Sequence, residues 1–269
     1  MNHSDSVNTS WRKVAASFYK KPTDSKIFGS VELDITDLEQ YISQKRKEGL
    51  KITLTHIFTL AVARAIKETV PELNAYICRG HVVKRNSIDA MVSVLIGDSQ
   101  MGSIMIHEAD TLTLHELADV METEIRKARA GSENKTMQMR DSITKIPWPF
   151  RVWVVGIIRK ITIDWGLSIP FLNFKPNSFG SYVVSNIGTL GLDMGYPALF
   201  PISNVPLVLI MGGVKKKPYV VNDTIVPRRI INLGAALDHR VIDAMHGGKL
   251  FRYIKYVANN PSLLESKPM

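Results

Sequence analysis

The sequence predicts strands and helices in an irregular order, and this order limits the folds that the chain can adopt. Strands are predicted at Ile27–Ile35, Ile88–Ile96, Tyr182–Asn186, Val205–Gly212 and Ile230–Leu237. A turn at Gly97–Gly102 interrupts the second strand, and Ser103–Ile106 is predicted to continue it. Helices are predicted at Leu38–Lys47, Leu54–Thr69, Thr113–Lys127 and Asp243–Val257. This mixture indicates an α+β or mixed α/β sandwich.

The third of these helices has the clearest start signal. Thr113 is a plausible N-cap and Glu116 follows three residues later, which is the spacing of a capping box. We therefore expect the helix to begin directly after Thr113.

Composition narrows the class of protein. The 269 residues are 45% hydrophobic and 22% charged, with scattered Gly and Pro, which excludes disorder, collagen and coiled coil. Cys78 is the single cysteine, so an internal disulfide and a multi-cysteine metal site are excluded. The N-terminal stretch lacks the features of a signal peptide, so a cytoplasmic location is expected. The alternative is a peripheral location on a membrane.

The charge of the chain is positive, with 34 Lys and Arg against 25 Asp and Glu and a net charge of +9. Such an excess attracts nucleic acid, anionic lipid or a phosphorylated small molecule. No basic motif of a recognisable type accompanies it, so the charge alone does not choose among them.

One segment is unlike the rest of the chain. This Trp-rich segment, Thr144–Phe174, holds three of the four tryptophans. Its longest apolar core, Val152–Ile158, lies between Arg151 and Arg159. This core is shorter than the roughly 20 apolar residues that cross a bilayer. Three interpretations stay open: a helix pair packed on the domain or on a neighbouring subunit, an interfacial membrane element, and a lid over an apolar substrate.

The residues with the most chemical potential lie between the last strand and the last helix, in the run Asp238-His239-Arg240-Val241-Ile242-Asp243-Ala244. A histidine leaving a strand end can project into a crevice and act as a general base near neutral pH. Asp243 can cap the helix and fix the turn. Taken alone, a His and an Asp at this spacing are a weak signal and are more often a purely structural pair.

Several motifs in a fixed order show which family the chain resembles. DHRVIDA at Asp238–Ala244 is similar to a DHRVIDG hallmark, and Gly180–Gly188 (GSYVVSNIG) is similar to a second signature. Further similarities are found at Val70–Ala75, at Leu114–Leu117, at Asn204-Val205-Pro206 and at Gly212-Gly213-Val214. Over roughly Trp11 to Pro261 the chain resembles the catalytic domain of the dihydrolipoamide acyltransferases of 2-oxo acid dehydrogenase complexes, and more distantly chloramphenicol acetyltransferase.

The resemblance implies a two-layer sandwich like that of chloramphenicol acetyltransferase, with a mixed sheet flanked by helices, and a homotrimer with active sites between subunits. It implies that His239 removes the proton of a coenzyme A or dihydrolipoyl thiol, that Ser185 stabilises the oxyanion, and that Asp243 holds the turn. Asn186 and Gly188 of the Ser185 motif are assigned to substrate binding. Without the resemblance, Ser185 and Asn186 would be interpreted as ordinary turn residues.

Coenzyme A, free or as acyl-CoA, is then the expected substrate, and no metal is expected. Lys215–Lys217 or Arg228 and Arg229 are candidates to meet its phosphates, with solvated surface charge as the alternative. Further expected partners are a lipoylated carrier in trans, a higher assembly of trimers and peripheral membrane contact through the Trp-rich segment; nucleic acid is not expected. His239, His246 and His115 lack a compact metal-ligand spacing, and Cys78 is expected to be a buried small hydrophobe.

Three departures from the family pattern affect these expectations. Ala244 replaces a glycine, which strains the turn if the position needs a positive φ and is harmless if it is the first helical residue. No lipoyl or peripheral-subunit-binding domain precedes Trp11, so residues 1–269 are expected to be one catalytic domain with an insertion at about 144–174. Gly102–His107 follows the usual acyl-site strand only loosely.

Two rival functions stay open beside coenzyme A-dependent transfer to a thiol. One is a non-catalytic trimeric scaffold or lipid-associated binding protein, which Ala244 and the Trp-rich segment would suit. The other is a chloramphenicol-type O-acetyltransferase, which differs in its acceptor.

Overall fold

The computed structural model describes residues 25–96, 100–130, 147, 150–169, 176–200 and 203–268. The strands are β1 Lys26–Asp34, β2 Ala75–Cys78, β3 His81–Lys84, β4 Ala90–Ile96, β5 Gln100–Ile106, β6 Tyr182–Asn186, β7 Leu207–Met211, β8 Lys215–Val221 and β9 Thr224–Asp238. The α-helices are α1 Thr36–Lys47, α2 Leu54–Glu68, α3 Leu114–Arg129, α4 Phe150–Arg159 and α5 Ala244–Asn259, and a π-helical turn, Lys160–Asp164, follows α4.

Within the described ranges, seven strands form one mixed sheet in the order β1-β9-β7-β6-β4-β5, with β8 paired to the first half of β9. β6 runs parallel to β4 and to β7, and the other neighbours are antiparallel. All five residues of β7 are buried, as expected for an inner strand with an unbroken apolar sequence. The predicted mixed sheet with flanking helices is confirmed.

Helix α2 forms the centre of the helical layer. Its residues from His56 to Ile66 are all buried, because α3, α5 and the sheet pack around it. Tyr182 at the start of β6 is also fully buried, and its hydroxyl donates to the Thr59 carbonyl at 2.7 Å. The core therefore lies between this layer and one face of the sheet.

The start of α3 is as predicted. The Glu116 amide donates to Thr113 Oγ1 at 3.3 Å, and the Thr113 amide donates to Glu116 Oε2 at 2.8 Å. This reciprocal pair is the capping box indicated by the sequence.

Three elements differ from the sequence prediction. Ser103–Ile106 does not continue the β4 strand: it belongs to β5, which begins at Gln100 and folds back antiparallel to β4. The β2–β3 hairpin and β8 are strands that were not predicted. β8 has the sequence KKKPYVV and sets Pro218 opposite Pro227; lysines and prolines are typical of exposed edge strands and conceal the apolar alternation.

The Trp-rich segment is described in part. Its predicted helix pair corresponds to one helix, α4, and the π-helical turn, while residues 144–146, 148–149 and 170–174 lie outside the described residues, Trp148 among them. In the part of the chain that the structure covers, no helix is long and apolar enough to cross a membrane.

Candidate active site

The turn between β9 and α5 carries the candidate base. Asp238 ends β9, and its amide donates to the Pro206 carbonyl at 2.9 Å, while the His239 amide donates to the Ser25 carbonyl at 2.8 Å. The backbone around His239 is therefore fixed to the segments that precede β7 and β1. This anchoring places the histidine at one end of the sheet.

An ion pair between a buried carboxylate and a half-exposed arginine supports the turn. Asp238 is only 5% exposed. The Arg240 Nη2 lies 2.6 Å from Asp238 Oδ2, and Nε and the backbone amide of Arg240 each lie 3.0 Å from Oδ1. Burial would raise the pKa of the Asp238 carboxyl, but the hydrogen bonds and charge of Arg240, with a bond from Ser25, outweigh burial and lower it.

The sequence prediction did not include Asp238 and Arg240 as site residues. The sequence signal for this pair is an aspartate at the end of an apolar strand, followed two residues later by an arginine. A charge at such a position is stable only with a partner, so the pair could have been expected.

The His239 ring is held by its own turn. Nδ1 lies 2.8 Å from the Ile242 carbonyl oxygen and 3.3 Å from Asp243 Oδ1. A carbonyl oxygen only accepts, so we assign the proton to Nδ1 of the neutral ring, and Nε2 keeps its lone pair. The side chain is half exposed, which leaves Nε2 free to accept a proton from a bound molecule.

Asp243 acts as the N-cap of α5. Its backbone is extended (φ −108°, ψ 170°), its side chain accepts from the backbone of the first helical turn, and its amide donates to His246 Nδ1 at 3.1 Å. Ala244 is the first helical residue and is absent from the described non-glycine residues with positive φ. Alanine is favourable there, so the replacement of glycine does not strain the turn.

Ser185 lies on β6, opposite Ile210 of β7, and Ile210 in turn lies opposite Gly234 of β9. Asp238 is therefore four residues farther along the sheet than Ser185 and two strands away from it. Strand dimensions make this about 13 Å along the strands and about 10 Å across them, or about 16 Å in all. Ser185 and His239 of one chain are too far apart to act on the same atoms.

Asn186 and Gly188 continue the Ser185 motif beyond β6. The Asn186 carbonyl accepts from Thr189 Oγ1 at 2.8 Å. A Cβ at Gly188 would lie 2.7 Å from the Gly212 carbonyl oxygen, so only glycine fits this approach. Two motifs of the resemblance, Gly180–Gly188 and Gly212–Val214, thus meet in space.

The cations considered for coenzyme A phosphates have carboxylate partners. Lys215 bonds to Asp193 at 2.5 Å, Lys217 pairs with Glu32, Arg228 bonds to Asp34 at 2.6 Å and Arg229 bonds to Glu39 at 2.8 Å. These pairs favour the interpretation that all four are surface charges rather than phosphate ligands. Lys216, between Lys215 and Lys217 on β8, is also exposed.

The other candidate residues do not converge. His246 belongs to the α5 cap and His115 pairs with Asp119 at 3.3 Å, and the described residues contain no group of three or more His, Cys, Asp or Glu that could hold a metal. Cys78 is partly exposed rather than buried, because it ends β2 next to an exposed turn at Arg79-Gly80, with Gly166 beside it. A cavity of about 450 Å³ between β1 and α5 is lined by neither His239, Asp243 nor Ser185.

A family model for the catalytic domain of the 2-oxoacid dehydrogenases acyltransferase matches residues 9–146 and 174–265. The chain belongs to this family. The match leaves out residues 147–173, which contain most of the Trp-rich segment. The recognition made from the sequence motifs is thereby confirmed.

Individual relatives agree with the family assignment. A dihydrolipoyllysine-residue acetyltransferase component of the pyruvate dehydrogenase complex from Rickettsia prowazekii is 26% identical over 266 residues, covering 96% of this chain and 54% of that protein. The chain spans about half, or less, of the length of such curated relatives.

Solved structures share the fold. The cubic core of a pyruvate dehydrogenase multienzyme complex matches with a TM-score of 0.65 and 16% identity, covering 90% of this chain and 84% of that one. The dihydrolipoamide acetyltransferase of Azotobacter vinelandii, studied for the roles of a serine, a histidine and an asparagine in its catalytic mechanism, matches with a TM-score of 0.63, 16% identity and the same coverage.

Proposed function

We propose that this acyltransferase-family chain moves an acyl group between coenzyme A and a thiol acceptor of the dihydrolipoyl type. The observation that carries the proposal is the state of His239: Nδ1 is bonded to the Ile242 carbonyl, and Nε2 is left as an acceptor at a half-exposed position. Neutral imidazole in this tautomer is a suitable base for a thiol.

His239 Nε2 takes the proton of the incoming thiol, because the thiolate is the competent nucleophile. The thiolate attacks the thioester carbonyl carbon and forms a tetrahedral intermediate with a negative oxygen, to which the Ser185 hydroxyl donates. The intermediate then breaks its bond to the original sulfur, which leaves with the proton held by His239. The same steps in reverse return the acyl group to coenzyme A.

Asp243 and the Asp238–Arg240 pair act as positioning groups for this base. Asp243 is the N-cap of α5 and lies 3.3 Å from Nδ1, while Arg240 neutralises the buried carboxylate at the strand end. Asn186 and Gly188 are proposed to contact the substrate beside Ser185.

The site is proposed to form between subunits of a homotrimer, with His239 from one chain and Ser185 from the next. The separation of about 16 Å between Ser185 and Asp238, the residue before His239, supports this arrangement. Exposed apolar side chains on the loop after Ser185 supply a surface for association: Leu190, Leu192, Met194, Tyr196 and Phe200. The fold shared with a cubic multienzyme core supports a higher assembly of trimers.

The acceptor is proposed to reach the site on a separate lipoyl-bearing domain or protein. The curated relatives are dihydrolipoyllysine-residue acyltransferases, and much of their length lies outside their match to this chain.

A strained turn at Ala244 would favour the rival function, a scaffold without activity. Ala244 occupies an unstrained helical position instead.

The test is thiol release from a panel of short- and long-chain acyl-CoAs, with dihydrolipoamide and chloramphenicol as alternative acceptors. His239→Ala should lower the rate with dihydrolipoamide by about 100-fold or more, the range for a general base. The exposed His81 provides a matched control, and His81→Ala should keep the wild-type rate. Equal rates for wild type and His239→Ala would exclude this base.

A further inference from the structure

The α4 segment, Phe150–Ile169, presents an apolar face to solvent. Phe150, Trp153 and Ile157 follow the spacing of one helix face and are exposed by 67%, 77% and 48%. The exposed apolar side chains of the segment are Phe150, Val152, Trp153, Ile157, Trp165 and Leu167. So many large exposed apolar groups in one short segment indicate a surface that binds something.

This exposure is not the result of a helix that lacks packing. The opposite side of the segment has a small core of Ile158 and Ile169, against which Val154 and Ile161 pack. The segment is also fixed to the β2–β3 hairpin, where the Arg79 amide donates to the Asp164 carbonyl at 2.7 Å and Arg79 Nε donates to the Trp165 carbonyl at 3.2 Å. The apolar face is thus held outward on a defined support.

Cations border this face. Arg159 and Lys160 are exposed where α4 ends, and Lys160 Nζ lies 5.9 Å from the centre of the Trp165 ring. Arg79 is exposed beside Trp165. Asp164 is the single carboxylate in the sequence from Phe150 to Ile169. The partner that complements such a border is apolar with a negative surface.

Subunit contacts common to the family do not account for the face, because the family match leaves out residues 147–173. The ten residues of α4 are about 15 Å long, half of the roughly 30 Å hydrocarbon core of a bilayer, so the helix cannot cross it. A helix with tryptophans and cations of this kind lies along the interface.

We propose that the α4 segment binds the surface of an anionic lipid bilayer. Trp153, Phe150 and Ile157 enter the boundary between headgroups and acyl chains, and Arg159 and Lys160 contact the lipid phosphates. The inference does not depend on the acyl-transfer activity.

Flotation with two kinds of vesicle tests the proposal: phosphatidylcholine alone, and phosphatidylcholine with phosphatidylglycerol in equal amounts. Wild-type protein should float with the anionic vesicles, and less of it should float as salt is raised. Trp153→Ser/Ile157→Ser and, separately, Arg159→Glu/Lys160→Glu should each lower binding by about 10-fold or more.

Matched variants control for general loss of apolar surface or charge. Ile225→Ser removes an apolar side chain that is 72% exposed on another element, and Lys51→Glu/Lys216→Glu makes the same charge change elsewhere; both should bind as wild type does. Elution volume and thermal unfolding verify that every variant is folded.

Three results would overturn the proposal: wild-type protein that stays at the bottom with anionic vesicles, equal binding to both kinds of vesicle, or equal binding by the α4 variants and their controls. A smaller assembly size for Trp153→Ser/Ile157→Ser with unchanged flotation would assign the face to a second copy of this chain instead.

Discussion

At the scale of single residues, the immediate neighbours of His239 in the sequence determine its chemistry. Asp238 and Arg240 form a bidentate pair beneath the turn, and the Ile242 carbonyl selects the tautomer. The side-chain contacts of the His239 ring thus come from within the Asp238–Asp243 turn, while the Pro206 and Ser25 carbonyls anchor the backbone of that turn.

Removing Arg240 should affect stability in a pH-dependent way. Arg240→Met leaves the buried Asp238 carboxylate without its charge partner, and we expect the free energy of unfolding at pH 7 to fall by about 2 kcal/mol, since Arg240 itself is half exposed. In the wild type the lowered pKa of Asp238 contributes stability above the unfolded value of 3.8, which is lost as pH falls through the folded value.

In the variant, the backbone amide of residue 240 and the Ser25 hydroxyl still donate to Asp238, but the hydrogen bonds and charge of the guanidinium no longer offset burial. The pKa of Asp238 is therefore higher than in the wild type, and the difference in stability should shrink as pH falls below about 4. Urea unfolding from pH 3 to pH 7 measures this, with Arg129→Met, an exposed arginine, as control. A constant difference across that range would contradict the role assigned to the pair.

At the scale of elements, capping residues account for much of what the sequence predicted correctly. Thr113 and Glu116 fix the start of α3, and Asp243 fixes the start of α5, both as expected from short-range hydrogen bonding. The β2–β3 hairpin and β8 were missed because their sequences are short, charged or interrupted by proline, which conceals the apolar alternation. Each of these strands pairs with its neighbour in the chain across a two-residue turn, Cys78 with His81 and Val221 with Thr224.

The cap of α2 gives a prediction for this scale. His56 Nδ1 accepts from the Thr53 amide at 3.2 Å and lies 2.8 Å from Thr53 Oγ1, so the ring must be neutral. Burial, together with the nearby charge of Arg46, lowers the pKa of His56 to about 4. Because the unfolded value is 6.5, stability from His56 is complete above that pH and is lost as pH falls from 6.5 to about 4.

Protonation of His56 lowers the free energy of unfolding by about 3 kcal/mol at most. His56→Gln keeps a capping-box residue without a titrating ring, so its free energy of unfolding should depend less on pH between 6.5 and 4. His81→Gln, at an exposed site, should keep the wild-type dependence. The same pH dependence in His56→Gln as in wild type would show that the cap does not titrate.

At the scale of the whole molecule, sheet order decides which residues can act together. The sequence motifs identified Ser185 and His239, but their separation follows from two neighbouring registers, Ser185 with Ile210 and Ile210 with Gly234. Those pairings are long-range, so no local pattern could predict that Ser185 lies about 16 Å from Asp238, the residue before His239. The resemblance implies an active site shared between two subunits. The separation within one chain supports it, and that separation could not be obtained from the sequence.

The most direct test of the shared site mixes two inactive variants. Ser185→Ala and His239→Ala, each purified, unfolded and refolded together in equal amounts, should recover about a quarter of the wild-type rate of acyl transfer, because a quarter of randomly formed subunit interfaces join an intact His239 to an intact Ser185. Each variant refolded alone should stay inactive, and wild type refolded in the same way sets the scale. A mixture no more active than the two variants alone would place both groups in one chain and contradict the account.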